Sequence, residues 1–312
     1  MPANLTITDG KAEMFYTGQT PWHGLGTKLD NPATAEEAIA AAGLDWEVEK
    51  RQAYYFFDGS FQRAKNNFAI VRKDTGNHFK VLSHAYKPVQ NREAFKFFDA
   101  VVGAGEAIYH TAGSLKGGKI VWILARLPED MTLPGTDDVL QRYILLSNSH
   151  DGTTAIRMRP TSVRVVCSNT LTVALGEDAR AEWSAAHRGN IMEQVNQARQ
   201  LLELGDVHFE LMIKSIERMA DERMRTIEQE QFYRSLFDID DEEDYRESRS
   251  VKKVAELFAD GTGNSGESNW DMLNAVTEWV DHKRGADTNR LHSAWFGSGD
   301  LIKRRAWDLL TV

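Results

Sequence analysis

The chain has 312 residues, of which 42% are hydrophobic and 27% charged, with one cysteine and a formal charge of −9. That is the make-up of a soluble globular protein long enough to bury one large core or two smaller ones. The lone Cys167 excludes an internal disulfide and a cysteine-based zinc site, and it fits a reducing cytoplasm. No run approaches the ~18 apolar residues of a membrane span, and the first residues lack a signal-peptide pattern. A cytoplasmic protein without membrane contact is expected.

In chain order, residues 1–33 read as loop, with Gly and Pro spread through Thr20-Pro21-Trp22-His23-Gly24-Leu25-Gly26. A helix is predicted from Thr34, its N-cap, to Ala42, ended by Gly43. Trp46–Phe57 alternates as a strand and turns at Asp58-Gly59. Phe68–Lys73 and His78–Ser83 are two further strands. Asn91 caps a helix through Val102, with Phe95, Phe98 and Val102 on one face. Glu106–Thr111 and Lys119–Leu127 pair across a Gly-rich turn, and Val139–Ser147 and Thr154–Val166 complete a mostly antiparallel set. A short helix is expected near Asn169–Leu175, with Asn169 as its cap.

The second half changes character. Apolar residues recur at helical spacing from Asn190 to about Phe237, and Gly205-Asp206 is expected to split this stretch into two helices. Asp238–Glu247 carries seven acidic residues and reads as a helix end or exposed linker. Trp270–His282 is predicted as an amphipathic helix and Leu301–Leu310 as the last one. The fold class is therefore α+β: an N-terminal, mostly antiparallel curved sheet with packed helices over 1–176, then a helical region over 177–312.

Charge divides along the same line. Residues 1–175 hold 19 basic and 18 acidic side chains, whereas 176–312 hold 18 and 28. Within the first half, residues 62–126 carry 11 basic and 4 acidic residues. Local basicity on an acidic chain marks either a polyanion site or a solvated face.

Most chemical motifs fail on context. Gly113–Lys119 has the glycines and lysine of a phosphate loop, but Ile120 stands where a Ser or Thr must hold magnesium, and a strand comes next. Gly261–Gly266 spells G-x-G-x-x-G after a helical stretch rather than a strand, so it reads as an inter-helix loop. Ser149-His150-Asp151 has the residue types of a hydrolase triad, yet sequence neighbours cannot line up to pass a proton, and Gly152 makes it a turn. Cys167 succeeds Val165-Val166 and reads as buried packing. No metal spacing and no cofactor motif stands out. Two segments resist a bland account: Pro21–Gly26, and Arg157–Thr170, where Arg157 and Arg159 share a strand face and Arg164 precedes Asn169.

These segments, with Ser149–Gly152, Asn274–His282 and Trp295-Phe296-Gly297-Ser298-Gly299 followed by Lys303 and Ala306, resemble the phage/plasmid-like family of unknown function, DUF932. The resemblance implies a mobile-element setting, near genes of replication, recombination or defence evasion. The architecture also resembles the single-strand annealing recombinases of phages, the RecT, Redβ and Erf superfamily. That second likeness implies an ATP-independent oligomer holding single-stranded DNA in a basic groove, with Lys65, Lys80, Lys87, Lys116, Lys119, Arg157, Arg159 and Arg164 on phosphates. Trp22, Tyr86 or Tyr109 would stack on bases, and His23 and Asn169 complete the set of motif residues. Two alternatives stand beside it: an anti-defence protein whose acidic 238–247 segment binds a host nuclease or sensor, and a nuclease or nucleotide-modifying enzyme using His23, His150 and Asp151. A phage or plasmid exonuclease is a further expected partner.

Overall fold

The computed structural model describes residues 4–311 except 19, 22, 32, 103–107, 134–137, 165–168 and 172–181; for 102, 164, 169–171 and 201–208 it describes the backbone alone. The region expected to be loop begins instead with strands β1 (Ile7–Thr8), β2 (Lys11–Ala12), β3 (Met14–Thr17) and β4 (Thr27–Leu29). Helix α1 (Ala35–Ala42) obeys its sequence signals closely. Thr34 and Glu37 form a reciprocal capping box, and Gly43 ends the helix in the left-handed region at φ 63°. Strands β5 (Val48–Phe57), β6 (Ser60–Arg72) and β7 (His78–Ser83) form a separate antiparallel three-stranded sheet. Its first hairpin turns at Asp58-Gly59, as expected.

Helix α2 (Asn91–Val102) buries Phe95, Phe97, Phe98 and Val101. Asn91 does not cap it. Its amide donates to the Leu44 carbonyl at 2.9 Å and its oxygen pairs with His150, while Glu93 accepts from the Gln90 N–H. Strands β8 (Ile108–Leu115), β9 (Ile120–Arg126), β10 (Met131–Thr132), β11 (Val139–Ser149) and β12 (Ile156–Arg164) supply the centre of the main sheet. Residues 169–171, expected to open a helix, are instead strand β13 (Asn169–Leu171), paired with Ser162–Arg164; the rest of that expected helix lies outside the described residues. Strand β14 (Trp183–Ala185) pairs with the other end of β12, so the sheet continues past residue 176. The strand order is β13-β12-β11-β9-β8-β3-β4, with β10 beside β11 and β14 beside β12; among the described residues only β3–β4 is parallel. The phosphate-loop mimic is the β8–β9 turn.

A 3-10 turn (Ile191–Gln194) leads into α3 (Val195–Asp221), which runs straight through Gly205-Asp206. Glycine in a helix costs about 1 kcal/mol relative to alanine. Packing outweighs it: Ala198 sits in one core, and Phe209, Met212, Ile216 and Met219 in another. The break falls at 222–225, where Met224 donates its N–H to the Glu267 carbonyl. Helix α4 (Thr226–Phe237) ends at Asp238 in the left-handed region, and α5 (Glu242–Glu247) carries the acidic run. That run is partly neutralised within the chain, since Asp238 pairs with Arg305, and Glu242 with Arg234 and Arg246. Helix α6 (Arg249–Asp260) precedes the G-x-G-x-x-G loop. That loop gives its N–H groups to the chain's own carboxylates: Thr262 to Glu278 at 3.0 Å and Ser265 to Asp271 at 3.1 Å.

Helix α7 (Asn269–Glu278) continues as a π turn over Trp279–Lys283. Expected to be amphipathic, it is buried on every side from Trp270 to Asp281, polar residues included. Helices α8 (Arg290–Phe296) and α9 (Ser298–Leu310) complete the α+β fold. Among the described residues no helix is long and apolar enough to cross a membrane.

Because side chains alternate along a strand, the main sheet supplies two faces. Phe15, Ala112, Val121, Ile123, Ile144 and Met158 meet α1, α2 and the small sheet. Met14, Tyr16, Trp122, Leu124, Tyr143 and Leu145 face the other way, against Leu291, Trp295 and Phe296 of α8. Two buried ion pairs stand on that second side: Lys303 with Asp281 at 2.9 Å, and Arg159 of the sheet with Asp300 of α9 at 3.2 Å. A buried charge stripped of its partner is far costlier than the intact pair is favourable. Asp281→Ala should therefore lower the unfolding free energy by about 3–5 kcal/mol. The double variant D281L/K303M should lose much less, as read by urea denaturation.

Candidate functional site

Strand β8 contains a bulge. Tyr109 pairs with Ala125 and Thr111 with Leu124, leaving His110 as the extra residue. A bulge interrupts the two-residue alternation and re-aims a side chain. Here the consecutive His110 and Thr111 both line one cavity of about 560 Å³, set between the second face of the sheet and α8. The sheet contributes Tyr16, Trp122, Leu124, Arg126, Gln141, Tyr143 and Val163 to its wall, and the helical half contributes Asp281, His282, Leu291, Ala294 and Trp295.

The Pro21–Gly26 segment reaches the same cavity. Its backbone turns tightly, with the Gly24 N–H donating to the Pro21 carbonyl at 2.8 Å. Gly26 has φ +111°, and a Cβ there would come within 3.1 Å of the Met14 carbonyl and 3.3 Å of the Tyr16 ring, so only glycine fits. The turn brings His23 into the cavity wall, where its Nδ1 accepts the Leu25 N–H at 3.1 Å. The neutral ring must then carry its proton on Nε2. Trp22 lies outside the described residues.

Burial holds these imidazoles neutral. His23 is pushed down to about 4 by loss of solvent, and His110 to about 4 by burial reinforced by the Arg126 charge. Arg126 is itself held by Asp130 through two hydrogen bonds of 2.8 and 2.7 Å. Among the described residues no group of three or more His, Cys, Asp or Glu side chains is placed to hold a metal ion.

A second, smaller cleft of about 310 Å³ adjoins at Trp295, which lines both. It gathers three of the basic residues singled out from the sequence, Lys116, Arg157 and Arg159, and with them the acidic Asp151 and Asp300. Lys116 sits in the β8–β9 turn with its ammonium 2.9 Å from His292 Nε2, and burial together with that charge lowers the His292 pKa. Arg157 is exposed beside Glu182 at 3.8 Å, whereas Arg159 is buried on Asp300. Lys119 stands in the same turn as Lys116. Lys65 and Lys80 belong to the separate small sheet, and Lys87 lines a third cavity of about 400 Å³ with His187 and Arg188. Arg164 and Asn169 face each other in the β12–β13 register, with side chains outside the described residues.

The aromatic residues expected to stack on bases are placed otherwise. Tyr86 is buried, donating its hydroxyl to the Ser149 carbonyl at 2.9 Å, with burial raising its pKa. Tyr109 is buried against Phe95 and donates to Asp99 at 2.5 Å. Neither ring offers an open face. His150 is also enclosed, between Trp46 and Phe79 of the first core, and its pKa is driven down to about 3, chiefly by burial. His23 and His150 therefore do not share a site.

What the sequence reading missed is the end of the β5–β6 hairpin. Tyr54, Tyr55, Phe56, Phe57 and Phe61 are 54–76% exposed. Phe56 pairs with Phe61 and Tyr54 with Arg63 on one face; Tyr55 and Phe57 stand on the other. The alternation expected over Trp46–Phe57 fails at its end, where Tyr54–Phe57 are aromatic on both faces; a strand buried on one side would alternate polar and apolar residues there.

The model of the domain of unknown function DUF932 matches residues 78–295. The chain belongs to the DUF932 family. No curated protein and no solved structure matches it. The DUF932 match takes in His110, Trp122, Arg126, Gln141, Tyr143, Arg157, Arg159, His282 and Trp295, so most of both cavity walls lies inside the family's span. The hairpin end, His23 and Asp300 lie outside it.

The neutral histidines carry a pH signature. An exposed imidazole in the unfolded chain titrates near 6.5. Since His23, His110 and His150 are depressed in the folded chain, their contribution to stability is complete above about pH 6.5. It is lost progressively as pH falls towards 4. The urea midpoint should drop over that window, and in His110→Phe the drop should be smaller.

Proposed function

We propose that this DUF932 protein binds single-stranded DNA without ATP and promotes annealing of complementary strands, acting as an oligomer in the cytoplasm during phage or plasmid recombination. One observation carries the reading: an arm of two strands that holds five large aromatic rings in solvent. Soluble proteins rarely leave such a group uncovered unless it meets a partner. Between Tyr54 and Lys65 the only acid is Asp58, against Arg63 and Lys65. Exposed rings interleaved with cations are what a single strand requires, bases stacking at about 1–3 kcal/mol each and phosphates meeting Lys and Arg without regard to sequence.

Lys116 and Arg157, which share their cleft with Asp151, add two further basic side chains to the reading, and the acidic α5 would repel a strand from the helical half. The anti-defence alternative draws less support, because three arginines of the chain already engage the acidic segment.

The test is a salt series with a labelled single-stranded oligonucleotide and purified protein, without nucleotide. Binding should weaken steeply with salt. Replacing Phe56 and Phe61 by Ser should weaken it by about tenfold or more while leaving the melting temperature unchanged, since both rings are exposed. Lys116→Gln with Arg157→Gln should flatten the logarithmic salt dependence by roughly 0.7 for each phosphate no longer neutralised. Absence of binding at low salt, or binding indifferent to both pairs of changes, would overturn the proposal.

A further inference from the structure

The smaller cleft holds opposite charges that do not meet. Asp300 is compensated twice, by Arg159 at 3.2 Å and by Arg304 at 3.0 Å. Lys116, Arg157 and Asp151 remain. The Lys116 ammonium donates to His292 Nε2, a neutral imidazole that cannot cancel its charge. Arg157 stands 3.8 Å from Glu182, beyond hydrogen-bond reach. Asp151 accepts the Thr153 N–H at 3.1 Å and the Thr153 hydroxyl at 2.6 Å, both on Oδ1. Its Oδ2 has no hydrogen-bond partner among the described residues, and neither Lys116 nor Arg157 closes on it although all three line one cleft. Ser147 Oγ likewise has no partner among the described residues. Ser147 and Asp151 are each 8% exposed, and both line the cleft. Polar groups buried this deeply are almost always paired, so an open carboxylate oxygen and an open hydroxyl in one enclosure point to a ligand.

Register sorts these groups into two ends. Ser147 and Arg157 are direct cross-strand partners, so a group bonded to the guanidinium also lies beside the hydroxyl. Lys116 adds a second cation from the β8–β9 turn. Asp151 lies past the end of β11, in the turn where the Ser149 hydroxyl donates to the Thr154 carbonyl at 3.0 Å. At a rise of about 3.3 Å per residue, the strand sets this carboxylate further from Ser147 than one hydrogen bond can span. The volume, about 310 Å³, is at the lower end of small-molecule pockets. Ile120, Leu145 and the part-exposed rings of Trp295 and Phe296 give the cleft an apolar side. An anion alone would be repelled by Asp151, and a cation alone by Lys116 and Arg157. A short ligand with an acidic group at one end, a protonated amine at the other and an apolar branch satisfies every wall.

We propose that this cleft binds an α-amino acid with an apolar side chain. Its carboxylate meets Arg157, Ser147 and Lys116, its ammonium meets Asp151, and its side chain lies on Trp295 and Phe296. The site shares Lys116 and Arg157 with the single-strand reading but does not rest on it.

Calorimetric titration of the full chain with L-leucine and L-phenylalanine at pH 7.5 tests it. At least one should bind. N-acetyl-L-phenylalanine, which lacks the ammonium, and L-phenylalanine methyl ester, which lacks the carboxylate, should each bind at least about tenfold more weakly than the free amino acid, since each forfeits a charge-assisted contact. Asp151→Asn keeps an acceptor for Thr153 and should weaken the free amino acid by about tenfold while leaving the N-acetyl form unchanged. Arg157→Gln changes an exposed side chain, so it serves if the first variant fails to fold. It should weaken the free amino acid while leaving the methyl ester unchanged. Amino-acid binding without oligonucleotide binding keeps the cleft assignment and removes the single-strand reading. No binding of either amino acid, or equal binding of the blocked forms, overturns the cleft assignment even if an oligonucleotide still binds.

Discussion

A β-sheet covered on both faces must find two sets of apolar partners, and the main sheet of this protein meets that constraint with parts from opposite halves of the chain. On one face α1, α2 and the small sheet pack against Phe15, Val121 and Ile144. On the other, Trp122, Tyr143 and Leu145 need the helices that arrive more than a hundred residues later. Helix α3 couples the arrangement, with its first turns in one core and its last in another. The helical half is thus the second cover of the sheet, and the cavities occur where that cover meets polar strand positions.

Polar groups at this seam are specific in a way apolar packing alone is not. Arg159 reaches Asp300 from the sheet, and Lys303 meets Asp281 between α9 and the π turn after α7. Such pairs add little net stability over well-packed apolar residues, but a shift of either helix would leave charges buried without partners. The π turn over Trp279–Lys283 fits the same role. An extra residue per turn rotates the next side chains around the helix axis, and turns of this kind are frequent at functional sites. Together with the β8 bulge, it brings His282 and His110 to one cavity by two local departures from regular geometry.

The molecule separates its surfaces by chemistry. The hairpin end is aromatic and solvent-facing, the Lys116–Arg157 cleft sets basic side chains beside Asp151 and Asp300, and the adjoining cavity has its fixed charges compensated. The acidic α5, partly tied by Arg234, Arg246 and Arg305, contributes a field of the opposite sign on the helical half.

Local signals determined what local physics controls. The N-cap at Thr34, the helix end at Gly43, the Asp58-Gly59 hairpin, most strands from His78 to Ser149 and the turn and loop that house the two glycine motifs were all legible in the sequence, because each depends on neighbours within a few residues. The segments that resemble DUF932 were legible too, and Pro21–Gly26, Asn274–His282 and Trp295 prove to meet at one cavity. Tertiary structure decided the rest. Gly205 stays helical because packing on both sides outweighs its backbone entropy, and Asn91 leaves its cap to tie the Leu44 carbonyl to His150. Tyr86 and Tyr109 disappear into the core because a phenol with one satisfied hydroxyl buries as readily as it stacks. The bulge at His110 has no sequence mark of its own, since an extra residue in a ladder exists only relative to the strand beside it.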